Sequence, residues 1–137
     1  MIRSFDPEVM RKAAEPYPEL IPPDTDFQGW LSNTKNVMLV EGDSVGLAVH
    51  EYPGVYTGHY FFRVGGRKAL NLAREMMLWM IENKDAKAFT GITPADNKAA
   101  RWFNRNLGFT SYGLVDSHKG PHEMFCITAE EVRKGTR

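Results

Sequence analysis

"GITPADNKAARWFNRNLGFTSYG", residues 91–113, is the stretch on which the reading of this chain turns. Its first residues read as the end of a strand. Thr93-Pro94-Ala95-Asp96 then reads as a helix start. It offers a hydroxyl cap, a proline in the first turn, and an acidic residue beside unpaired N–H groups. Ala99, Trp102, Phe103 and Leu107 recur at helical spacing and define the expected buried stripe. Gly108 suits a left-handed helix stop, and Phe109 opens another strand.

Upstream, "RKALNLAREMMLWMIEN" (67–83) is an amphipathic helix with Ala69, Ala73, Met76, Met77, Met80 and Ile81 on one face. These methionines are core residues before they are a binding surface. "VYTGHYFFR" (55–63) reads as the strand before it, ended by Gly65-Gly66, and "AKAFTGIT" (86–93) as the strand after it. Further upstream, "NVMLV" and "SVGLAVHEY" flank the turn Glu41-Gly42-Asp43. In the second of these, Val45, Leu47 and Val49 alternate with Gly46 and Ala48, so the sheet has a small face that a helix can approach closely.

Two short helices precede the strands. "DPEVMRKAAE" has Asp6 as cap and Pro7 at the first helical position; "DTDFQGWLSN" follows a proline-rich link. After the opening stretch, "FTSYGLV" and "HEMFCIT" form a hairpin about "DSHKGP", and "AEEVRKGTR" (129–137) reads as a loose polar tail. The expected fold is α/β: one domain over 1–137 with its core at about 35–128, and a mixed, mostly antiparallel sheet with helices on both faces. A parallel pair about the long helix requires a right-handed crossover.

Composition narrows the function. The chain has 137 residues, 42% hydrophobic, enough for a core without metal or disulfide staples. Lys+Arg and Asp+Glu are both 17, so no global field draws it to nucleic acid or to an anionic membrane. The basic helix "NKAARWFNRN" is followed by a strand rather than a recognition helix, which also argues against DNA. No segment is apolar enough to span a bilayer, and no signal-peptide run opens the chain. Cys126 is the only cysteine, which excludes an intrachain disulfide and suits a reducing cytoplasm. His118 and His122 straddle Gly120-Pro121, so a hairpin turn fits them better than a metal site, and Cys126 reads as a core thiol.

Two segments carry a resemblance. In "YFFRVGGRKAL", Arg63 and Gly66 match a pattern of Arg or Gln, two residues, Gly, one residue, then Gly or Ala, with Lys68 in the last place and Ala69 one late. In the opening stretch, Asn97, Ala100, Gly108 and Phe109 match Asn, two residues, Ala, seven residues, Gly-Phe. In this order, with a strand between, the segments resemble the GCN5-related N-acetyltransferase superfamily. The likeness covers residues 35–128.

That resemblance implies an N-acyltransferase using acetyl-CoA on an unidentified amine. Amides of Gly65, Gly66, Arg67 and Lys68, with the Arg63, Arg67 and Lys68 charges, would cradle the coenzyme's diphosphate. Asn97 and Arg101, with Lys98, would meet the pantetheine or phosphates. Amides near Phe61 and Phe62 would face the thioester carbonyl. His59 is the candidate base, with Glu51 and Tyr60 as alternatives. Asn104 stands where the family often has a tyrosine that protonates the leaving thiolate. The compact form, without a clear first strand, also resembles acetyltransferase-like proteins of tailed bacteriophages, implying host cytoplasm or virion. The alternative function is a catalytically silent protein of this fold that acts through a protein partner.

Overall fold

The computed structural model describes residues 1–135. Seven strands form one sheet in the order β1-β2-β3-β4-β5-β7-β6. They are β1 (Ile2–Arg3), β2 (Val37–Glu41), β3 (Ser44–Tyr52), β4 (Val55–Phe61), β5 (Ala88–Pro94), β6 (Thr110–Ser117) and β7 (Gly120–Thr128). The helices are α1 (Pro7–Ala14), α2 (Phe27–Ser32), α3 (Gly66–Lys84), α4 (Lys98–Leu107) and α5 (Ala129–Lys134). Among the described residues only β4 and β5 pair in parallel, because α3 carries the chain back over the sheet between them. The other pairings are antiparallel.

Strand alternation sorts two cores. Met38, Val45, Leu47 and Phe61 meet Met10, Ala13, Phe27 and Leu31 of α1 and α2. Leu39, Ala48, Tyr56, Phe89 and Ile127 meet Ala73, Met76, Met77 and Met80 of α3. The small face of β3 does what its sequence implies: a β-carbon added at Gly46 would lie 2.3 Å from the Met76 sulfur. Asp6 caps α1 by accepting from the Glu8 N–H at 2.9 Å, with Pro7 at the first helical position.

The structure corrects five readings. A first strand exists, short and paired to β2. The strand β4 stops at Phe61, two residues early, and the Arg63 N–H donates to Ser44 Oγ at 2.9 Å. Helix α4 starts at Lys98, capped by Asn97 rather than Thr93. Thr93 and Pro94 are drawn into the β5–β7 ladder opposite Glu123 and His122, so the cap passes to the next available side chain. Trp102 is 52% exposed and Ala99 is also outside; Phe103, Asn104 and Leu107 face inward.

The fifth correction concerns the supposed tail. Thr128 and Glu131 form a reciprocal capping box that starts α5, and Ala129 and Val132 are buried against α3. Arg74 of α3 donates to the Val132 carbonyl at 3.1 Å. The last residues of that segment, 136–137, lie outside the described residues. Replacing Val132 by Ala removes two buried carbons and should cost about 2 kcal/mol. Urea denaturation should show a lower midpoint at unchanged slope; an unchanged midpoint would mean that this helix adds nothing to the core.

Candidate functional site: a fork between parallel strands

The sheet opens at one place. Strands β4 and β5 pair through Val55–Ala88, Tyr56–Phe89 and Thr57–Thr90, and there the ladder ends. Beyond it, Gly58–Phe61 of β4 continues beside β3 with no strand on its other flank, and Gly91–Pro94 of β5 continues beside β7. Thr57 and Thr90 close the crotch, their hydroxyls 3.1 Å apart, and Thr57 Oγ1 donates to Glu51 at 2.7 Å.

Strand periodicity divides the fork between two sides. His59 lies on the face that α1 and α2 cover, between Thr57 and Phe61, but outside their core cluster, and it is exposed. Crowding by the surrounding atoms lowers its pKa below the ordinary histidine value, and the Glu51 carboxylate pulls the other way. Ile92, 58% exposed, has the same parity on β5. On the α3 face stand Tyr60 and Thr93, each three residues past the crotch. Helix α4 spans them: the Phe103 ring lies 5.8 Å from the Tyr60 ring, and Asn104 Nδ2 donates to Thr93 Oγ1 at 3.1 Å. The Phe62 ring packs 5.1 Å from Tyr60. Burial pushes the Tyr60 phenol's pKa well up, so it stays protonated and is a poor base.

At the mouth of the fork, α3 begins at Gly66 with φ +56, a backbone only glycine adopts cheaply. No side chain caps this helix, and β-carbons added at Gly65 or Gly66 would meet nothing within 4 Å. Arg63, Arg67 and Lys68 are exposed, and among the described residues none of them is ion-paired. Exposed amides, a positive helix end and three free cations thus meet at one edge.

The α4 candidates are placed differently. Asn97 spends its side-chain oxygen on the Ala100 N–H at 3.1 Å. Arg101 turns inward, donating to Glu123 at 2.6 Å and to the Ala95 carbonyl at 2.7 Å. Glu123, only 2% exposed, also accepts from Arg105 at 2.6 Å and Ser111 at 2.5 Å. Sequence reading missed this anchor of α4, because a lone Glu in an alternating strand looks like an outward-facing residue. His122 turns to its own hairpin, 2.9 Å from the Gly120 carbonyl. No metal-binding cluster and no helix long and apolar enough to cross a membrane occur among the described residues.

This sheet, forked between its parallel strands with helices on both faces, is the acetyltransferase fold. It superimposes on the aminoglycoside acetyltransferase AAC(6')-Ib in complex with coenzyme A, with TM-score 0.71, 14% identity, and coverage of 95% of this chain and 93% of that one. A spermidine N-acetyltransferase SpeG chimera from Vibrio cholerae and hSSAT gives TM-score 0.73 and 10% identity over 96% and 98%. A ribosomal-protein-S5-alanine acetyltransferase from Vibrio fischeri gives 0.69 and 12% over 96% and 92%. At these identities the likeness concerns the fold. No protein-family model and no curated protein matches the chain.

Hydrogen bonds from Ser111, then Arg105 and Arg101, hold the Glu123 carboxyl at about 2, against an ordinary 4.5. A folded value below the unfolded one stabilises fully above the unfolded value and is lost as pH falls toward the folded one. Stability should therefore decline from about pH 4.5 down to about pH 2. Glu123→Gln should be less stable than the parent at neutral pH, and its stability should vary less across that window. Urea denaturation at several pH values reads both; parallel curves would remove Glu123 from its anchoring role.

Proposed function

We propose that this chain is an N-acyltransferase that moves an acetyl group from acetyl-CoA to an amine. The observation that carries the reading is the fork, whose mouth holds an uncapped glycine turn and three unpaired cations. Amides of Gly65, Gly66, Arg67 and Lys68 would bind the coenzyme's diphosphate, with Arg63, Arg67 and Lys68 supplying charge. The pantetheine arm would enter between the strands, displacing water from unpaired main chain near Phe61 and Phe62. Those amides would hold the thioester oxygen as negative charge develops on it. The free Asn97 amide protons and Lys98 would flank the coenzyme. Arg101 serves the site indirectly, by fixing α4 on Glu123.

The amine approaches from the His59 side. Its nitrogen forms a bond to the carbonyl carbon, the carbon–sulfur bond breaks, and the sulfur keeps that electron pair. The amine proton passes to His59, directly or through water. A histidine with lowered pKa is neutral, and therefore able to accept, at physiological pH.

Calorimetric titration with acetyl-CoA tests the reading. The parent should bind, and Arg67→Glu/Lys68→Glu should weaken binding at least about tenfold, since both residues are exposed and charge reversal there leaves the core intact. No heat at millimolar ligand would leave a silent fold, the alternative reading, in its place. Kanamycin, bound with coenzyme A in another AAC(6')-Ib structure, and spermidine, the amine in the SpeG enzyme's name, serve as trial acceptors. With an accepted amine, kcat/KM should rise with pH through a pKa below the ordinary histidine value of 6.5 and then level off. His59→Gln should lose about 100-fold and the low-pH limb with it; retention of that limb would exclude His59.

A further inference from the structure

The fork has a second polar wall that the amine side does not use. We infer that Thr93, held by Asn104, donates a hydrogen bond to the sulfur of the departing coenzyme A thiolate. This rests on the acyl-transfer reading above, and it concerns the opposite face of the sheet from His59.

The placement follows from parity and from contacts. Thr93 lies three residues beyond the last β4–β5 pair, on the α3 side, and is 7% exposed. On one flank it pairs with Glu123 of β7. Above it, Asn104 Nδ2 donates to its oxygen at 3.1 Å. The remaining flank is the fork itself, where no strand stands. Thr93 Oγ1 accepts from Asn104, and its own hydrogen has no acceptor among the described residues. Glu123, the anion nearest in the ladder, is already met by Arg101, Arg105 and Ser111.

Thr93 is thus a hydroxyl with its oxygen fixed and its hydrogen free to turn toward the fork. The other hydroxyl on this face of the fork's unpaired arms is Tyr60. Its oxygen lies 3.1 Å from a β-carbon added at Gly58, so the phenol leans back along its own strand. There it borders an apolar cavity of about 20 Å³ with Met76, Met80 and Phe89.

The chemistry requires such a donor. Addition of the amine makes a tetrahedral carbon within the fork, and the sulfur held there leaves beside the α3-side wall on which Thr93 stands. Thiolate is a large, poorly solvated anion inside a closed cleft, and a fixed O–H dipole stabilises it as charge grows. No proton is transferred: an alcohol is a far weaker acid than a thiol, so the thiolate leaves with the electron pair of the broken bond and is protonated by water. Thr93 touches the reacting atom and is catalytic; Asn104 is a positioning residue.

The product complex allows a test without an acceptor. Free coenzyme A is bound to the protein, binding is measured by calorimetry, and the thiolate is followed by its ultraviolet absorbance as pH is raised. The bound thiol should titrate at lower pH than free coenzyme A. Thr93→Ser should preserve that shift, Asn104→Ala should reduce it, and Thr93→Val should return the midpoint to that of the free thiol with affinity unchanged within about twofold. Should Thr93→Val not fold, Thr93→Val/Asn104→Leu, which leaves no amide donor orphaned, makes the same measurement. If coenzyme A binds and Thr93→Val titrates like the parent, Thr93 is not the donor and the coenzyme reading stands. If coenzyme A does not bind at all, both fall.

Discussion

Everything in this molecule hangs on two strands that run in parallel and part company after three residue pairs. Parallel neighbours need a crossover, and α3 supplies it. A twisted sheet makes divergence of two briefly paired strands cheap, but it leaves the fork-facing main-chain groups of Gly58–Phe61 and Gly91–Pro94 without strand partners on that flank. Those groups are tolerable only where water or another molecule reaches them. The gap is kept open by packing: α4 lays Phe103 on the β4 side and Asn104 on the β5 side, and so spans the fork without closing its ladder.

That span depends in turn on one buried carboxylate. Glu123 is inaccessible, and an unpaired charge there would be costly. Arg101, Arg105 and Ser111 surround it, tying α4 to β7 and β6 at once. The same pairing explains how a chain with 17 positive and 17 negative residues can still present a local positive edge. Two arginines of α4 are consumed internally. The cations at the start of α3 are not, and they stand where the helix end is itself positive.

The sequence showed most of the elements, since the β3 alternation, the α3 stripe and the Asp6-Pro7 and Gly108-Phe109 signals are local. It hid what depends on distant partners. Thr93 and Asn97 are both competent caps, and only pairing of Thr93 with Glu123 across the sheet decides between them. Trp102 is at helical spacing from Ala99, three residues before it, yet both lie outside because the inward face is set by where β7 and α3 lie. The Thr128–Glu131 box was legible but was outweighed by the polar composition of the final residues. Of the candidate site, the glycine turn between β4 and α3 was legible because its signal is local. Arg101 could not be placed from sequence, because its partner is 22 residues away in another strand.

Period two along a strand has a chemical consequence here. Successive residues on the arms of the fork face opposite sides of the sheet, so His59 and Tyr60, or Ile92 and Thr93, are neighbours in sequence but not in solvent. On the proposed acyl-transfer reading, a reaction that takes a proton from one partner and releases an anion from the other would gain from that separation, because the base and the anion would not compete for one another. A one-residue slip in either arm would exchange the faces and bring the imidazole under α4. The register is held against such a slip by the six consecutive β3–β4 pairs from Val45–Phe61 to His50–Tyr56 and by the seven β5–β7 pairs. The sheet's ordinary cohesion, on the flanks away from the fork, therefore fixes which side chains line each wall of the fork.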